Sequence, residues 1–222
     1  MNQAAETFAR QLAFGQLVET QVAMWLRRAR GWSILPVYEK EIDTGKGPRF
    51  FGPQTQIIAP DMLVMRGTDV RWIEAKRKTV FTWHRISQQW TTGIDLRHYQ
   101  DYCRLAAATP WDIWLLFLHT SSQPNPRDLS HCPPLCPTGL FGETLTFLRS
   151  HENHRHGNWG PRGMVYWAHT SLRKIATLDE VYRQYGPQDS ASTHDAWADD
   201  DALLNDAALE HHTRFFLPTD DD

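Results

Sequence analysis

The stretch that most restricts what this chain can fold into is Pro60 to Lys76, Pro-Asp-Met-Leu-Val-Met-Arg-Gly-Thr-Asp-Val-Arg-Trp-Ile-Glu-Ala-Lys. Met62 to Met65 and Val70 to Ile73 are apolar runs of strand length, rich in β-formers. Gly67 stands between them, at the first loop position of a two-residue type II′ hairpin. With Gly67-Thr68 as that loop, Arg66 faces Asp69, and counting back along both strands puts Asp61 opposite Glu74. Side chains repeat every second residue on a strand, so Glu74 and Lys76 share one face with Asp61. Carboxylates so opposed, about 4.5–5.5 Å apart at Cβ, repel and destabilise a sheet. A divalent cation between them turns the repulsion into a binding site, and hard oxygen donors suit Mg²⁺ or Mn²⁺. The plainer alternative is that these charges form the solvated face of a hairpin.

Length and composition set the frame for that hairpin. The 222 residues allow one domain with a substantial core. No apolar run approaches bilayer-spanning length, and the N-terminus lacks the basic-then-apolar order of a secretory signal, so no membrane is expected. The 3 scattered cysteines argue against a disulfide framework and for a reducing compartment, hence a cytoplasmic protein. Charge is uneven. Residues 186–222 hold ten acidic side chains and one basic, which leaves 22 basic and 16 acidic residues in 1–185, a net of about +6. A basic body of this kind suits a polyanionic partner.

The chain before the hairpin begins with a helix from about Glu6 to Arg30, with Phe8, Leu12, Gly15, Glu19, Val22 and Leu26 at helical spacing and Gly31 as its stop. Glu19 breaks the apolar stripe it sits on. A carboxylate pointing into a core is costly unless it is paired or bound to a cation; a place at the stripe's edge is the alternative. Trp32 to Tyr38 reads as a strand in which Pro36 points to an edge or a bulge. Glu39 to Gln56 is a loop whose Lys46 and Arg49 are either solvated charges or phosphate contacts.

After the hairpin, Arg77, Lys78, His84 and Arg85 alternate with Val80, Phe81 and Trp83, a composition that fits either nucleic-acid contact or a packed strand. Ile94 to Ala108 reads as a helix with Asp95 as its cap and Leu96, Tyr99, Cys103 and Ala106 or Ala107 on its buried face. Trp111 to His119 is apolar almost throughout, as a strand buried on both faces is. Residues 120–162 read as an irregular insertion rich in Pro, His and Cys, in which Cys132, Cys136, His151 and His154 are candidate ligands for a structural Zn²⁺. Met164 to His169 reads as a strand and Leu178 to Tyr185 as a short helix. The Asp- and Ala-rich segment 186–222 reads as a disordered tail, or one that docks a protein partner through Trp197 to Leu217. The expected fold is α/β: a central mixed sheet of about four or five strands flanked by helices, with its core in 6–119 and 163–185.

These residues also carry a family resemblance. Pro60-Asp61 followed at hairpin spacing by Glu74-Ala75-Lys76 resembles the PD-(D/E)xK, or restriction-endonuclease-like, nuclease superfamily. Glu19 matches the extra helical glutamate of the branch that includes archaeal Holliday-junction resolvases. The RecB-like exonuclease branch carries Gln-x-x-x-Tyr on the helix after the lysine; here His98-Tyr99-Gln100-Asp101-Tyr102 has His98 in place of the glutamine.

The resemblance implies a Mg²⁺- or Mn²⁺-dependent deoxyribonuclease with a restriction-endonuclease-like core. Asp61, Glu74 and the carbonyl of Ala75 would hold the metal, with Glu19 reaching it directly or through water. Lys76 would orient or deprotonate the attacking water, leaving a 5′-phosphate and a 3′-hydroxyl. Lys46, Arg49, Arg77, Lys78, His84, Arg85, Tyr99 and Gln100 are the further candidates for gripping DNA, in a monomer or a homodimer. Two other functions compete: a DNA-cleaving subunit of a larger recombination, transposition or defence complex, inactive alone, and a non-catalytic nucleic-acid-binding protein on the same fold.

Overall fold

The computed structural model describes residues 3–37, 48–52, 56–156 and 163–184, with side chains from residue 17 onward. By its contacts the chain divides into units 1–185 and 186–222; Lys46 and the acidic tail lie outside the described residues. In chain order the described elements are α1 (Gln3–Arg30), β1 (Ser33–Pro36), β2 (Arg49–Phe51), β3 (Gln56–Ile58), β4 (Met62–Arg66) and β5 (Asp69–Lys78). Then come β6 (Thr82–His84), β7 (Gln89–Asp95), α2 (Leu96–Ala108), β8 (Asp112–His119), β9 (Gly139–Thr144) and α3 (Leu145–Arg149). The last are β10 (Glu152–His156), β11 (Met164–Ala168), β12 (Arg173–Ala176) and α4 (Leu178–Tyr182).

The main sheet has six strands in the order β1-β4-β5-β8-β9-β12. Within it β5 and β8 run parallel, with α2 in the connection between them, and the other neighbours are antiparallel. This mixed sheet with helical cover is the α/β architecture expected from the sequence. The hairpin has the register counted from its residues, with Arg66 paired to Asp69 and Met62 to Ile73. Gly67 sits at φ 61° while Thr68 keeps a negative φ, the combination a type II′ loop needs.

Alternation along β5 sorts two cores. Trp72 joins Leu63, Ile113, Leu115, Phe117 and Phe141 under α2. Ile73 and Ala75 join Val64, Leu116, Leu118 and Leu140 on the opposite face, where Val18, Val22, Trp25 and Leu26 of α1 cover them. Gly31 at φ 69° ends α1, and the Trp32 N–H donates to the Leu26 carbonyl at 3.1 Å to close its last turn. The apolar run of β8 is a central strand, its residues from Leu115 to His119 all buried.

The strand content is larger than the sequence reading allowed, for two reasons. β9 lies inside it, between β8 and β12, although its residues belong to the expected irregular insertion. Its glycines hide it: a Cβ at Gly142 would stand 2.4 Å from Leu116 Cδ2 and 2.7 Å from the Leu115 carbonyl oxygen, so a residue that weakens strand propensity is the one that fits. Second, β10, β11, β7 and β6 form a separate four-stranded sheet, and β2 and β3 a two-stranded one. The second sheet pairs residues near 90 with residues near 165, a long-range pairing that local patterning does not carry.

Two local expectations are corrected. Asp95 occupies the N-cap of α2, yet its side chain makes no capping hydrogen bond. The buried stripe of α2 is Tyr99, Asp101, Tyr102 and Leu105, turned from the expected one; Leu96, Cys103 and Ala106 are half-buried and Ala107 is exposed. Asp101 enters a core because its carboxylate is satisfied, accepting from the Ile58 N–H at 3.1 Å and from Arg104 at 2.8 Å. No helix among the described residues is long and apolar enough to cross a membrane. Replacing Gly142 by Ala overpacks β8 against β9, and the expected loss is about 1–3 kcal/mol, read as a lower urea midpoint at unchanged slope; an unchanged midpoint would show that the sheet relaxes freely there.

Candidate functional site

β4 stops at Met62 while β5 runs on to Lys78. Where the strand pairing ends, the Asp61 side chain takes over: its Oδ2 accepts the Ala75 N–H at 2.8 Å. The Asp61 carbonyl accepts from the Val37 N–H at 2.9 Å, which fixes the residue from the other side. Glu74 is buried with 1% of its surface exposed, and Lys76 Nζ lies 2.5 Å from its Oε1. Glu19 reaches the same place from α1, and His98 and Tyr102, one helical turn apart, from α2.

The electrostatics of this cluster are unbalanced. Three carboxyl groups surround one ammonium. Burial, followed by the charge of Glu74, pushes the Asp61 carboxyl well above its ordinary range, against the lowering effects of Lys76 and the Ala75 N–H. Burial also raises Glu19, partly offset by Lys76. For Lys76 burial acts downward, and the charges of Glu74, Asp61 and Glu19 outweigh it and push the ammonium up. Burial and then Lys76 depress His98, while burial and then Glu74 raise Tyr102.

A small divalent cation fits this donor set. Neither carboxylate oxygen of Glu74 has a well-formed hydrogen bond although both are buried. Surplus negative charge and hard oxygen donors suit Mg²⁺, which keeps several of its waters and needs only one or two carboxylates. Among the described residues no three His, Cys, Asp or Glu side chains are close enough to form a cage by themselves. The groups that could hold such an ion are Asp61 and Glu74, with the Ala75 carbonyl and water to complete the set and Glu19 in electrostatic reach. A third of the Lys76 side chain is exposed (33%), which leaves the cluster open to a ligand on that side.

The remaining candidates lie elsewhere. Alternation places Arg77 on the α1 face of β5, where its charge acts on Tyr182, and Lys78 beside the buried His119. Arg49 is half-buried in β2. Arg85 is exposed and donates to the Arg127 carbonyl at 3.1 Å, and Gln100 is exposed on α2. Tyr99 is buried, and its hydroxyl donates to Glu152, so it faces the second sheet rather than the carboxylates. His84 stacks on His154 at 3.8 Å, with its Nδ1 2.8 Å from Ser87 Oγ.

The expected zinc ligands do not assemble. Cys136 Sγ accepts from the Phe81 N–H at 3.3 Å, His151 stacks on Phe147 and His154 on Tyr166. Closeness in sequence misled here, because α3 and a strand separate the cysteines from the histidines. His98 and Tyr102 were noted in the sequence only as an imperfect motif; their i, i+4 spacing on a helix after the lysine was the signal that they share a face with it.

A carboxyl whose folded pKa is raised stabilises the protein fully only below its unfolded value, near 4, and that contribution is lost as pH rises through the folded value. In metal-free buffer above neutrality Asp61→Asn is therefore expected to raise the urea midpoint. The gain should shrink as pH falls toward 4, and added Mg²⁺ should stabilise the original protein more than the variant. A variant less stable than the original at high pH without metal would mean that the Asp61 charge is well compensated.

No family model matches the chain, and no curated protein matches it. Among solved structures it is similar to Hjc, a Holliday junction resolvase of Archaeoglobus fulgidus, over 71% of this chain and 90% of that one, at 10% identity and a TM-score of 0.41. It is also similar to a nuclease from a fusselovirus, over 84% of this chain and 98% of that one, at 9% identity and a TM-score of 0.32.

Proposed function

We propose that this chain is a metal-dependent nuclease that hydrolyses DNA phosphodiester bonds. The observation that carries the reading is the convergence of Asp61, Glu74 and Lys76 where β4 ends beside β5, with Glu19 joining from α1. Four charged groups gathered from three elements in one half-buried place have no structural use that a few apolar residues would not serve better. The net positive charge of residues 1–185 favours a polyanionic substrate.

Asp61 and Glu74 would hold Mg²⁺ or Mn²⁺, aided by the Ala75 carbonyl and by Glu19. When bound, such an ion polarises a phosphodiester oxygen and offsets the charge that develops on it. Lys76 is pushed up in pKa, so it is charged at neutral pH and acts as a donor: it orients the attacking water and faces the phosphate through its exposed side. The Ala75 N–H fixes the Asp61 carboxylate, and Tyr102 stands next to Glu74 and limits its movement.

Purified protein with Mg²⁺ or Mn²⁺ is expected to cut at least one of plasmid, linear duplex, single-stranded and four-way-junction DNA. Asp61→Ala and Lys76→Ala should each lower the rate by about 10²–10³-fold or more, and Glu19→Gln by a smaller factor. EDTA should stop the reaction. Cleavage that persists in both Ala variants would assign it to another site or another protein.

A further inference from the structure

β8 ends on a buried imidazole that the proposed chemistry does not use. His119 has 0% of its surface exposed, and neither of its ring nitrogens makes a well-formed hydrogen bond. Its ring lies flat on Phe81, with centroids 3.5 Å apart and planes 5° from parallel. Phe141 meets both rings edge-on, at 6.0 Å from His119 and 5.3 Å from Phe81. His169, from the short turn His169–Ser171, closes the box at 5.2 Å from Phe81 and 5.1 Å from Phe141.

Three strands and a connection are fastened together at this box. His119 is the register partner of Lys78 in β5 and of Gly139 in β9. Just beyond it, the Thr120 N–H donates to the Lys78 carbonyl at 3.1 Å and the Ser121 N–H to the Thr79 carbonyl at 2.8 Å. The Phe81 N–H donates to Cys136 Sγ, whose thiol is pushed up to about 11 by burial and stays neutral. The charges that act on the imidazole are cationic: Lys78 from β5 and His169 from the turn. Lys174 of β12 lies over Phe141 at 5.9 Å and acts on His169 in turn. β9 and the β5–β6 connection contribute Phe141, Phe81 and the Val80 backbone, whose pull toward the charged form burial outweighs. Burial first, and then these cations, hold the imidazole well below its ordinary range. A buried cation without a carboxylate partner is among the costliest groups a core can hold.

We propose that His119 is an acid-sensitive latch: as a neutral ring it fills the box and keeps the ends of β5, β8 and β9 fastened, and proton uptake opens that joint. An imidazolium finds no anion in the box, so it is accommodated only by swinging out to water. Phe81 then loses its stacked partner, and the Thr120 and Ser121 N–H groups part from the β5 carbonyls. The opened joint takes up a proton near the ordinary histidine value of about 6.5, and the closed box does not. The latch is therefore fully effective above about 6.5 and weakens as pH falls below it. It stands apart from the nuclease reading, because it is read from opening of the chain and not from cleavage.

Amide hydrogen exchange of the full chain in EDTA, followed by NMR from about pH 7.5 to about pH 5 with each rate divided by its intrinsic value, tests the latch. Opening at Thr120, Ser121 and Phe81 is expected to rise about 30-fold over that range, the effect of one group of pKa about 6.5 that is protonated only when open. Opening of the joint exposes little surface, so it should be indifferent to low urea, whereas exchange of Val64 in β4 should rise with urea. His119→Phe can stack on Phe81 in the same way and cannot titrate; it should flatten the rise to less than about threefold. His119→Gln should share the flat profile even at lower stability. The His119 ring nitrogens should keep the chemical shifts of a neutral imidazole in the closed protein throughout. A rise that persists in both His119 variants, or that disappears in His169→Gln instead, would overturn the latch. So would a urea dependence at Thr120 and Ser121 equal to that of Val64, or a His119 imidazolium formed near pH 6.5 inside the closed box.

Discussion

Asp61 and Glu74 act on each other as like charges at the end of a strand pair, and most of what surrounds them makes sense as a response to their repulsion. At an effective dielectric near 20, like charges about 5 Å apart repel by roughly 3 kcal/mol, a sizeable part of a typical domain's net stability. The Ala75 N–H on Asp61 recovers roughly 1.5–3 kcal/mol of this, and the Lys76 ammonium beside Glu74 recovers more. Glu19 adds a third acid to the same place, and Asp61 and Glu19 respond by holding their protons more tightly than free carboxyls do. A fold that only had to be stable would place apolar groups there. The cost is coherent if a divalent cation offsets it.

The same hairpin was the most legible part of the sequence. A single positive-φ glycine between two apolar runs fixes loop length, and loop length fixes the register from Arg66–Asp69 back to Met62–Ile73. Each step is local, so each could be taken from residue order alone. Glu19 was legible for a similar reason, as an acid on a stripe whose later members Val22 and Leu26 prove buried. The buried run of β8 could be read because a strand covered on both faces has no polar alternation to lose.

What the sequence concealed depends on distant partners. β9 was obscured by Gly139 and Gly142, chosen for close backbone approach rather than for strand propensity. β11 was read as a strand, yet its partner β7 lies some 70 positions away, so the sheet that β6, β7, β10 and β11 form was not legible locally. The buried Asp101 looks like surface until its acceptor role toward the Ile58 N–H is seen; that bond ties α2 to the segment that delivers Asp61. The contacts of Arg66 and Arg71 with the Trp32 ring, and of Arg71 and Arg173 with the Trp114 ring, join residues far apart in sequence that only the sheet brings together.

The contact between Lys76 and Glu74 joins a partly exposed ammonium to a buried carboxylate. Among the described residues, the Lys76 ammonium is the one Lys or Arg group within ion-pair distance of Glu74. A divalent ion held by Asp61 and Glu74 would compete for the same Oε1 lone pairs and carry twice the charge. Lys76, a third of its side chain already exposed, would then turn outward, toward where a phosphate could approach. The buried end of the pair cannot move in this way, because Glu74 sits in the middle of β5 between β8 on one side and the Asp61 cap on the other. A buried acid held by the sheet and a partly exposed ammonium on a flexible stem form an asymmetric pair: the sheet fixes the acid in register, and the lysine stem is the part that could change partners.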